Sequence, residues 1–349
     1  MSTTNPVVGA GCARALSAGE RPVEDPTRAD AHAFLQKLDR LLDTPLSRAA
    51  RIEEGDATPW AVSWLSYPVL LAATTALVCA TIALGWNFHV VNTSFLFGAM
   101  FAIFALEVLY PLDRTYSMTW RSFLTRDLKF IVSNRVIAPA NGLVVQLLTL
   151  WISEHHKGLM TNWPLWISIP AIVLICEFHG YWWHRFSHGN GNPLTRFMWR
   201  VHAAHHLPEQ VYVMMQPVSN PLDTFSTLRP LLFFLFAPAP AAVLAINAFN
   251  TLQGLVRHAN LDMRTGWLNY LICGAELHRM HHSADEKQAK NFAAVLSLMD
   301  LLFGTLVYVP GGRPESYGVV NPHLYPRANE YWRTVLIPFR GTKSADETA

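Results

Sequence analysis

The sequence predicts an all-α membrane protein: about four transmembrane helices plus a re-entrant hairpin, capped by a cytosolic helical domain rich in histidine. Three observations predict this class. Long segments are almost free of charge, and only 15% of the 349 residues are charged, against about 25% in an ordinary globular domain. Ten of the fifteen histidines lie between residues 179 and 282, in groups at helical spacing. A proline-interrupted apolar segment separates two of these groups.

The N-terminal region, residues 1–60, is polar, and we expect its first 28 or so residues to be disordered. Ala29–Ile52 then predicts an amphipathic helix, lying on the bilayer or on the protein itself. No basic start with an apolar core follows Met1, so we expect no cleaved signal peptide. A net charge of +2 gives no indication of nucleic-acid binding. The four cysteines predict neither a disulfide framework nor a zinc finger.

The first membrane element is a helical hairpin. Ala61–Trp86 carries no charge over 26 residues, which is enough to cross about 30 Å of hydrocarbon. A short link follows, and Thr93–Leu112 forms a second span in which Glu107 is the only charge. Buried helices of a soluble core are the alternative, but two such segments in succession are hard to fit into a soluble domain.

The orientation follows from the basic residues. The loop Asp113–Lys129 holds three arginines and a lysine, whereas the link at 87–92 holds neither, so the positive-inside rule places this loop and the N-terminus in the cytoplasm. Residues 130–152 are interrupted by polar side chains and could cross the membrane or lie obliquely. Trp163–Cys176 is a clearer apolar segment. If both cross, the histidine groups return to the cytoplasmic face.

Pro230–Val256 predicts the re-entrant hairpin. A straight helix of 27 residues would be about 40 Å long and would carry the chain to the other face. Histidines on either side of it belong to one site, and the Ala237–Pro240 segment contains two helix-breaking prolines. Beyond the last histidine group, Asn291–Tyr308 predicts a packed apolar helix or membrane-lying segment, with Asp300 inside it.

The histidine groups HRFSH, HAAHH, RHAN and HRMHH predict a metal site. Isolated histidines are usually structural, but several convergent imidazoles are costly to hold together without a cation. Nine are too many for one tetrahedral zinc, and they suit two ions of higher coordination number. A site at the membrane face suits oxidation of an inert C–H bond, which favours iron and O2. A hydrolytic pair of metals would be expected to use bridging carboxylates, which the groups lack. The predicted ligands are His184, His188, His202, His205, His206, His258, His278, His281 and His282.

The order of these groups among apolar spans resembles the fatty acid hydroxylase / sterol desaturase superfamily of integral-membrane enzymes. The flanks Tyr181-Trp182 and NFAAVLSLMDLLFGT are similar as well, and the resemblance covers roughly Leu106 to Thr305. It implies a centre of two non-haem iron ions that uses O2 as co-substrate to hydroxylate or desaturate a lipid. It also implies an external electron donor, of the ferredoxin or cytochrome b5 type with its reductase.

Three further residues are candidates near the site. Asp262 stands four residues after the lone His258, where some relatives have a ligand, so it either binds metal through oxygen or the position is lost. Glu177 stands where relatives usually have aspartate, and a role in orienting a ligand ring is expected. His179 has no counterpart in the family pattern, and we interpret it as structural.

These observations predict an oxidoreductase that hydroxylates a C–H bond of a lipid of the fatty acyl, sterol or aminolipid class. A desaturase with the same site, a non-catalytic lipid-binding homologue and a histidine-rich metal carrier are the alternatives. The predicted domains are residues 1–60, a membrane-embedded domain at 61–310 with its histidine region at 177–282, and a tail at 311–349. A bacterial inner membrane is favoured over the endoplasmic reticulum. The oligomeric state is not predicted.

Overall fold

The computed structural model describes residues 26–47, 58–137, 158–223 and 229–342, and all regular secondary structure in these ranges is helical. The predicted all-α class is confirmed at this level. Chain contacts divide the protein into two units, Met1–Leu42 and Asp43–Ala349. The disorder predicted at the N-terminus falls almost wholly on residues outside the described ranges.

The amphipathic helix is present as α1, Pro26–Asp43. It begins with a proline, which lacks the N–H that the first helical turn leaves unpaired, and its apolar side chains Phe34, Leu35 and Leu41 are exposed. It ends nine residues before the predicted Ile52. The prediction of its end was wrong because the chain becomes extended after Asp43, where Leu46 N donates to Met118 O at 2.7 Å.

Three helices in the described ranges are long and apolar enough to cross a membrane. They are α2 (Trp60–Leu84), α3 (Phe88–Leu109) and, further along, α5 (Leu165–Ser187). Gly85 ends α2 with a φ of +64°, a conformation that costs glycine little. The predicted hairpin is therefore present as two consecutive helices.

Between α3 and α5 the chain forms α4, which has three parts: Trp120–Ser122, a π-helical turn at Phe123–Asp127, and helical residues 128–137. The fourth span predicted at 130–152 begins in this helix, but its residues 138–152 lie outside the described ranges. The number of crossings therefore stays a prediction beyond the three helices above.

The helix α6 (Pro193–His206) follows α5 after a short turn. Asn192 caps it, since the Asn192 side chain accepts from Thr195 N at 3.0 Å, and Pro193 occupies the first helical position. The capped start fixes the direction of α6, so that its last turn returns to the end of α5.

The predicted break at Ala237–Pro240 is confirmed. One helix, α7 (Arg229–Phe236), ends there, and α8 (Pro240–Arg257) begins with Pro240 as its first residue. Ala237 has a φ of +42°, and the turn lies beside the chain that precedes α5, where Met160 N donates to Phe236 O at 2.6 Å. From this turn α8 runs along α5, and both helices end at the histidines.

The chain after α8 is mostly irregular and contains α9 (Ala275–His281), α10 (Leu298–Leu302), α11 (Tyr331–Val335) and α12 (Ile337–Arg340). Of the two alternatives predicted for Asn291–Tyr308, the helix is wrong except for α10, and the membrane-lying segment stays a prediction. Asn291 has a φ of +58°, and the backbone N–H groups that follow it bond to buried carboxylates instead of to a helix. The C-terminal segment packs on the domain through Leu207, Val319 and Ile337.

Buried hydrogen bonds tie the spans to the histidine region. Near the end of α3, the buried Glu107 carboxylate accepts from Val213 N at 2.8 Å and from Asn260 N at 2.7 Å. At the start of α2, Ser63 O accepts from Arg264 N at 2.8 Å. The start of α2, the end of α3 and the end of α5 therefore meet on the same side of the domain, where the histidines lie.

Candidate metal centre

The nine predicted ligands lie at the C-terminal ends of four helices. They occupy the last turns of α5, α6 and α9 or the residues directly after α5, α8 and α9, except for His202, which lies one turn before the end of α6. A helix carries partial negative charge at this end, because its last carbonyl groups have no partner within the helix. Four such ends pointing at one place favour a cation there.

The structure brings all nine histidines together in two clusters. In each cluster the possible ligand atoms lie within 4.8 Å of one another. Cluster 1 consists of His184, His188, His202, His206 and His281, and cluster 2 consists of His205, His258, His278 and His282. The helical spacing predicted that neighbours would share a face; the pairing of groups distant in sequence required the fold.

The hydrogen bonds of cluster 2 fit a bound cation. His205 Nδ1 lies 2.8 Å from Val218 O, and His258 Nδ1 lies 2.8 Å from Gly254 O. A carbonyl oxygen only accepts, so each Nδ1 must carry the proton, and a neutral ring then has a bare lone pair on Nε2. The Nε2 atoms of His205 and His258 are 3.1 Å apart. Two lone pairs facing each other repel unless a cation lies between them.

Cluster 1 shows the same arrangement. His184 Nδ1 donates to Phe292 O at 2.7 Å, and His281 Nδ1 donates to Lys290 O at 2.7 Å. Their Nε2 atoms are therefore acceptors. His184 Nε2 lies 3.0 Å from His202 Nε2, while the buried Nε2 atoms of His188 and His281 have no hydrogen-bond partner among the described residues. Unpaired buried lone pairs of this kind fit metal ligation.

The alternative in which the rings are protonated is opposed by burial. Burial, and then the charge of the neighbouring imidazoles, lowers the pKa of His188, His206 and His281 well below the usual range of histidine. Burial is also the main reason why the pKa of His205 falls to about 4. At neutral pH these rings are neutral, which is the form that binds metal.

The two clusters adjoin each other. The ring of His206 in cluster 1 stacks on that of His282 in cluster 2, with centroids 4.5 Å apart. The clusters thus form one centre able to hold neighbouring metal ions, with five and four imidazoles respectively. Imidazole accepts zinc, copper, iron and nickel, so the ligand atoms alone do not select the metal.

A loop at residues 290–295 positions cluster 1, and the sequence reasoning missed how it is held. Its carbonyls at Lys290 and Phe292 are the acceptors for His281 and His184. The Asp300 carboxylate in turn accepts from Phe292 N at 2.7 Å and from Ala293 N at 2.9 Å. The sequence did contain one signal, which is the single acidic residue Asp300 in an apolar segment. A buried carboxylate is tolerated only where it accepts hydrogen bonds.

Glu177 holds the same loop from the other side. Its Oε1 accepts from Ala294 N at 2.7 Å and from Val295 N at 2.8 Å. Glu177 therefore bonds to the loop and not directly to a histidine, and its role in orienting a ligand ring stays a prediction. Glu177 belongs to neither cluster.

The other two candidates also lie outside both clusters. Asp262 accepts from Arg264 Nε at 3.1 Å and from Ser63 Oγ at 3.3 Å. It is engaged in an ion pair where the chain after α8 meets the start of α2. His179 lies against Trp183, with ring centroids 6.1 Å apart.

A cavity of about 280 Å³ lies beside cluster 1. His188, His206, Trp199 and Phe292 form part of its wall, and Glu286 and Lys290 contribute charged groups. Polar solutes and water can therefore approach the first cluster from this side.

Comparison with known proteins agrees with the geometry. Residues 169–305, which contain all nine histidines, match the family model described as fatty acid hydroxylase. The chain is 29% identical over 268 residues to the ornithine lipid hydroxylase OlsE of Rhizobium tropici, an alignment that covers 73% of this chain and 78% of that relative. No solved structure matches the chain. The predicted resemblance to the fatty acid hydroxylase / sterol desaturase superfamily is confirmed, and it is carried by the segment that holds the histidines.

Proposed function

We propose that this protein is an O2-dependent, non-haem diiron membrane oxidoreductase that hydroxylates a C–H bond of a lipid. The observation that carries the proposal is the pair of adjoining clusters, whose bare Nε2 atoms converge and which, among the described residues, include no carboxylate. When bound there, two iron ions supply the redox chemistry that activates O2 toward an unactivated C–H bond.

The residues of the chain perform three tasks in this reaction. The neutral imidazoles hold the ions, the carbonyls at Lys290, Phe292, Val218 and Gly254 fix the ring orientations, and the spans bring a lipid to the same end of the domain. The electrons come from an external one-electron donor, such as a ferredoxin or a cytochrome b5 with its reductase.

The relative supports a choice of lipid class. OlsE is named an ornithine lipid hydroxylase, so an aminolipid is the first substrate to test, ahead of fatty acyl and sterol lipids. Hydroxylation is favoured over desaturation because both the family model and the relative carry the name hydroxylase. A lipid-binding homologue without activity has less support, because the nine ligands are complete. We place the reaction at the cytoplasmic face of a bacterial inner membrane, on the distribution of basic residues and the bacterial relative.

The test combines metal analysis with lipid analysis. Protein purified in detergent from iron-supplied cells is expected to hold about two irons per chain, one for each cluster. Cells that make ornithine lipids and express this protein should accumulate a lipid heavier by one oxygen atom, and cells expressing His202→Ala should not. A product lighter by two hydrogen atoms would identify a desaturase instead. A well-folded protein that binds no metal would exclude both enzymes and leave the lipid-binding alternative.

A further inference from the structure

An aromatic pair connects cluster 1 with the protein surface. The ring centroid of Trp199, on α6, lies 5.1 Å from that of His188 and 5.8 Å from that of His206. On its other side, Trp199 Nε1 donates to the hydroxyl of Tyr325 at 2.8 Å. Tyr325 lines the cavity beside the cluster and also a groove on the C-terminal segment. These two side chains thus form a continuous contact path between the ligands and that groove.

Packing alone does not require this arrangement. Trp182, two residues before a ligand, packs on Phe303, and Trp183 packs on His179. Among the described residues, no ring pair joins either tryptophan to a cluster histidine. Trp199 is different, because it contacts two ligands of the same cluster and is hydrogen-bonded on the side away from them. Trp199 therefore lies directly between the metal ligands and Tyr325.

The groove at the end of the path is basic. It has a volume of about 570 Å³ and is formed by residues 322–342. Three arginines line it, Arg327, Arg333 and Arg340, against a single carboxylate, Glu330. Glu330 pairs with Arg333 at 3.0 Å, so positive charge remains in excess. A surface of this charge attracts an acidic partner and speeds its encounter.

We propose that the electrons enter the metal centre through this face. An acidic one-electron iron–sulfur protein docks on the arginine groove, and the pair Tyr325–Trp199 carries the electronic coupling to cluster 1. The inference rests on the proposed function, because it supplies the reductant which that reaction needs. Electron tunnelling falls steeply with distance, so a buried centre needs a well-packed route of this kind.

The reaction fixes how many electrons pass. Hydroxylation converts R–H and O2, with two electrons and two protons, into R–OH and water. One oxygen atom enters the C–H bond and the other is reduced to water. Each reduced iron–sulfur protein gives one electron and leaves oxidised, so two docking events serve one turnover, and the protons come from water.

Docking is tested by charge reversal. The probe is a [2Fe–2S] ferredoxin of net negative charge, and its oxidised form is titrated onto iron-loaded protein in detergent. For the double variant Arg327→Glu/Arg333→Glu, we expect binding at low salt to weaken by about tenfold or more, since charges at an interface rim set the attraction of an opposite partner. The matched control is Arg196→Glu/Lys287→Glu, which reverses two exposed cations outside the groove and should bind as wild type.

The path is tested by anaerobic reduction of the iron at saturating ferredoxin, followed by stopped-flow absorbance. Trp199→Leu should lose most of the ferredoxin-driven rate and keep its iron and its reduction by photoreduced deazaflavin, a small reductant that needs no docking. Trp182→Leu removes a ring of the same size that packs on Phe303. This variant should keep both the ferredoxin-driven rate and the deazaflavin-driven rate. If Trp199→Leu cannot hold iron, Tyr325→Phe decides, because it removes only the hydroxyl that accepts from Trp199, and it should slow ferredoxin alone.

Three outcomes would overturn the inference. The path is wrong if Trp199→Leu, or Tyr325→Phe where that variant decides, is reduced by ferredoxin as fast as wild type. The docking site is wrong if the reversed groove binds ferredoxin normally. The arginine groove is a membrane contact instead if the charge reversal abolishes binding of the protein to phosphatidylglycerol vesicles and leaves its binding to ferredoxin unchanged. Reduction of the wild type by ferredoxin without any lipid product would refute the proposed function and leave the electron route in place.

Discussion

The carboxylate of Asp300 offers the sharpest test of how cluster 1 is positioned. Asp300 is fully buried and accepts from Phe292 N, from Ala293 N and, at 2.7 Å, from Thr305 Oγ1. Burial raises the pKa of Asp300 to about 6, so at pH 8 it is ionised and accepts all three bonds. The perturbations are Asp300→Ala, which removes every acceptor, and Asp300→Asn, which keeps one oxygen.

The magnitude follows from the donors left behind. In Asp300→Ala the Thr305 hydroxyl can turn to Tyr181, whose hydroxyl oxygen is 2.8 Å away, but two buried backbone N–H groups lose their partner. At about 1–3 kcal/mol for each such group, the protein should lose about 2–6 kcal/mol of unfolding free energy. Asp300→Asn orphans one N–H and should lose about half as much. Since the loop orients His184 and His281, iron affinity should fall by about 10–100-fold in either variant.

The assay pairs thermal unfolding in detergent at pH 8 with iron competition against a chelator of known affinity. Asp285→Asn is the control, because the Asp285 carboxylate is exposed and accepts from the nearby Lys287 N; the substitution should change neither quantity. If Asp300→Asn were destabilised as expected and still held iron with wild-type affinity, the loop would stabilise the fold without positioning the ligands, and the reasoning would be refuted.

Three other predictions address the rest of the domain. Asp262→Ala should leave the iron content unchanged, because Asp262 pairs with Arg264 and contacts no cluster histidine; loss of one iron on metal analysis would make it a ligand. In the metal-free protein, burial lowers the folded pKa of His205 to about 4, against 6.5 for the free residue. Stability that is present above pH 6.5 is therefore lost as the pH falls, by about 2 kcal/mol at pH 5 and about 3 kcal/mol at pH 4. Urea titrations should give a lower midpoint at pH 5 than at pH 7.5, and equal midpoints would contradict the prediction. Gly158→Ala should cost about 1–3 kcal/mol by overpacking, because its Cβ would lie 2.0 Å from a Cβ of the α7–α8 turn, whereas Gly191→Ala, with nothing within 4 Å, should be neutral in the same thermal assay.

Much of the candidate site could be predicted from the sequence, because its ligands are local groups at helical spacing. His278, His281 and His282 share a helix end whatever the rest of the chain does. The division into clusters could not be predicted in this way. His205 and His206 are adjacent in sequence, yet they point into different clusters, and this depends on where α8 and α9 end.

The fold shows the same limit. The hairpin and the break at Ala237–Pro240 could be predicted, because charge-free length and proline act locally. The helix expected over Asn291–Tyr308 failed because apolar composition does not show where backbone N–H groups find acceptors. There, Glu177 from a distant helix and Asp300 take the amides, and tertiary bonds override local preference.

The placement of ligands on four separate helix ends has a consequence for the life of the protein in the cell. The centre cannot form until α5, α6, α8 and α9 have all reached their final places, so metal capture reports that assembly is complete. A chain that assembles without metal keeps buried ring nitrogens without a partner, such as the Nε2 atoms of His188 and His281, at a free-energy cost. Iron shortage should therefore reduce the amount of the protein as well as its activity, since the unmetallated chain is the form that proteolytic quality control recognises.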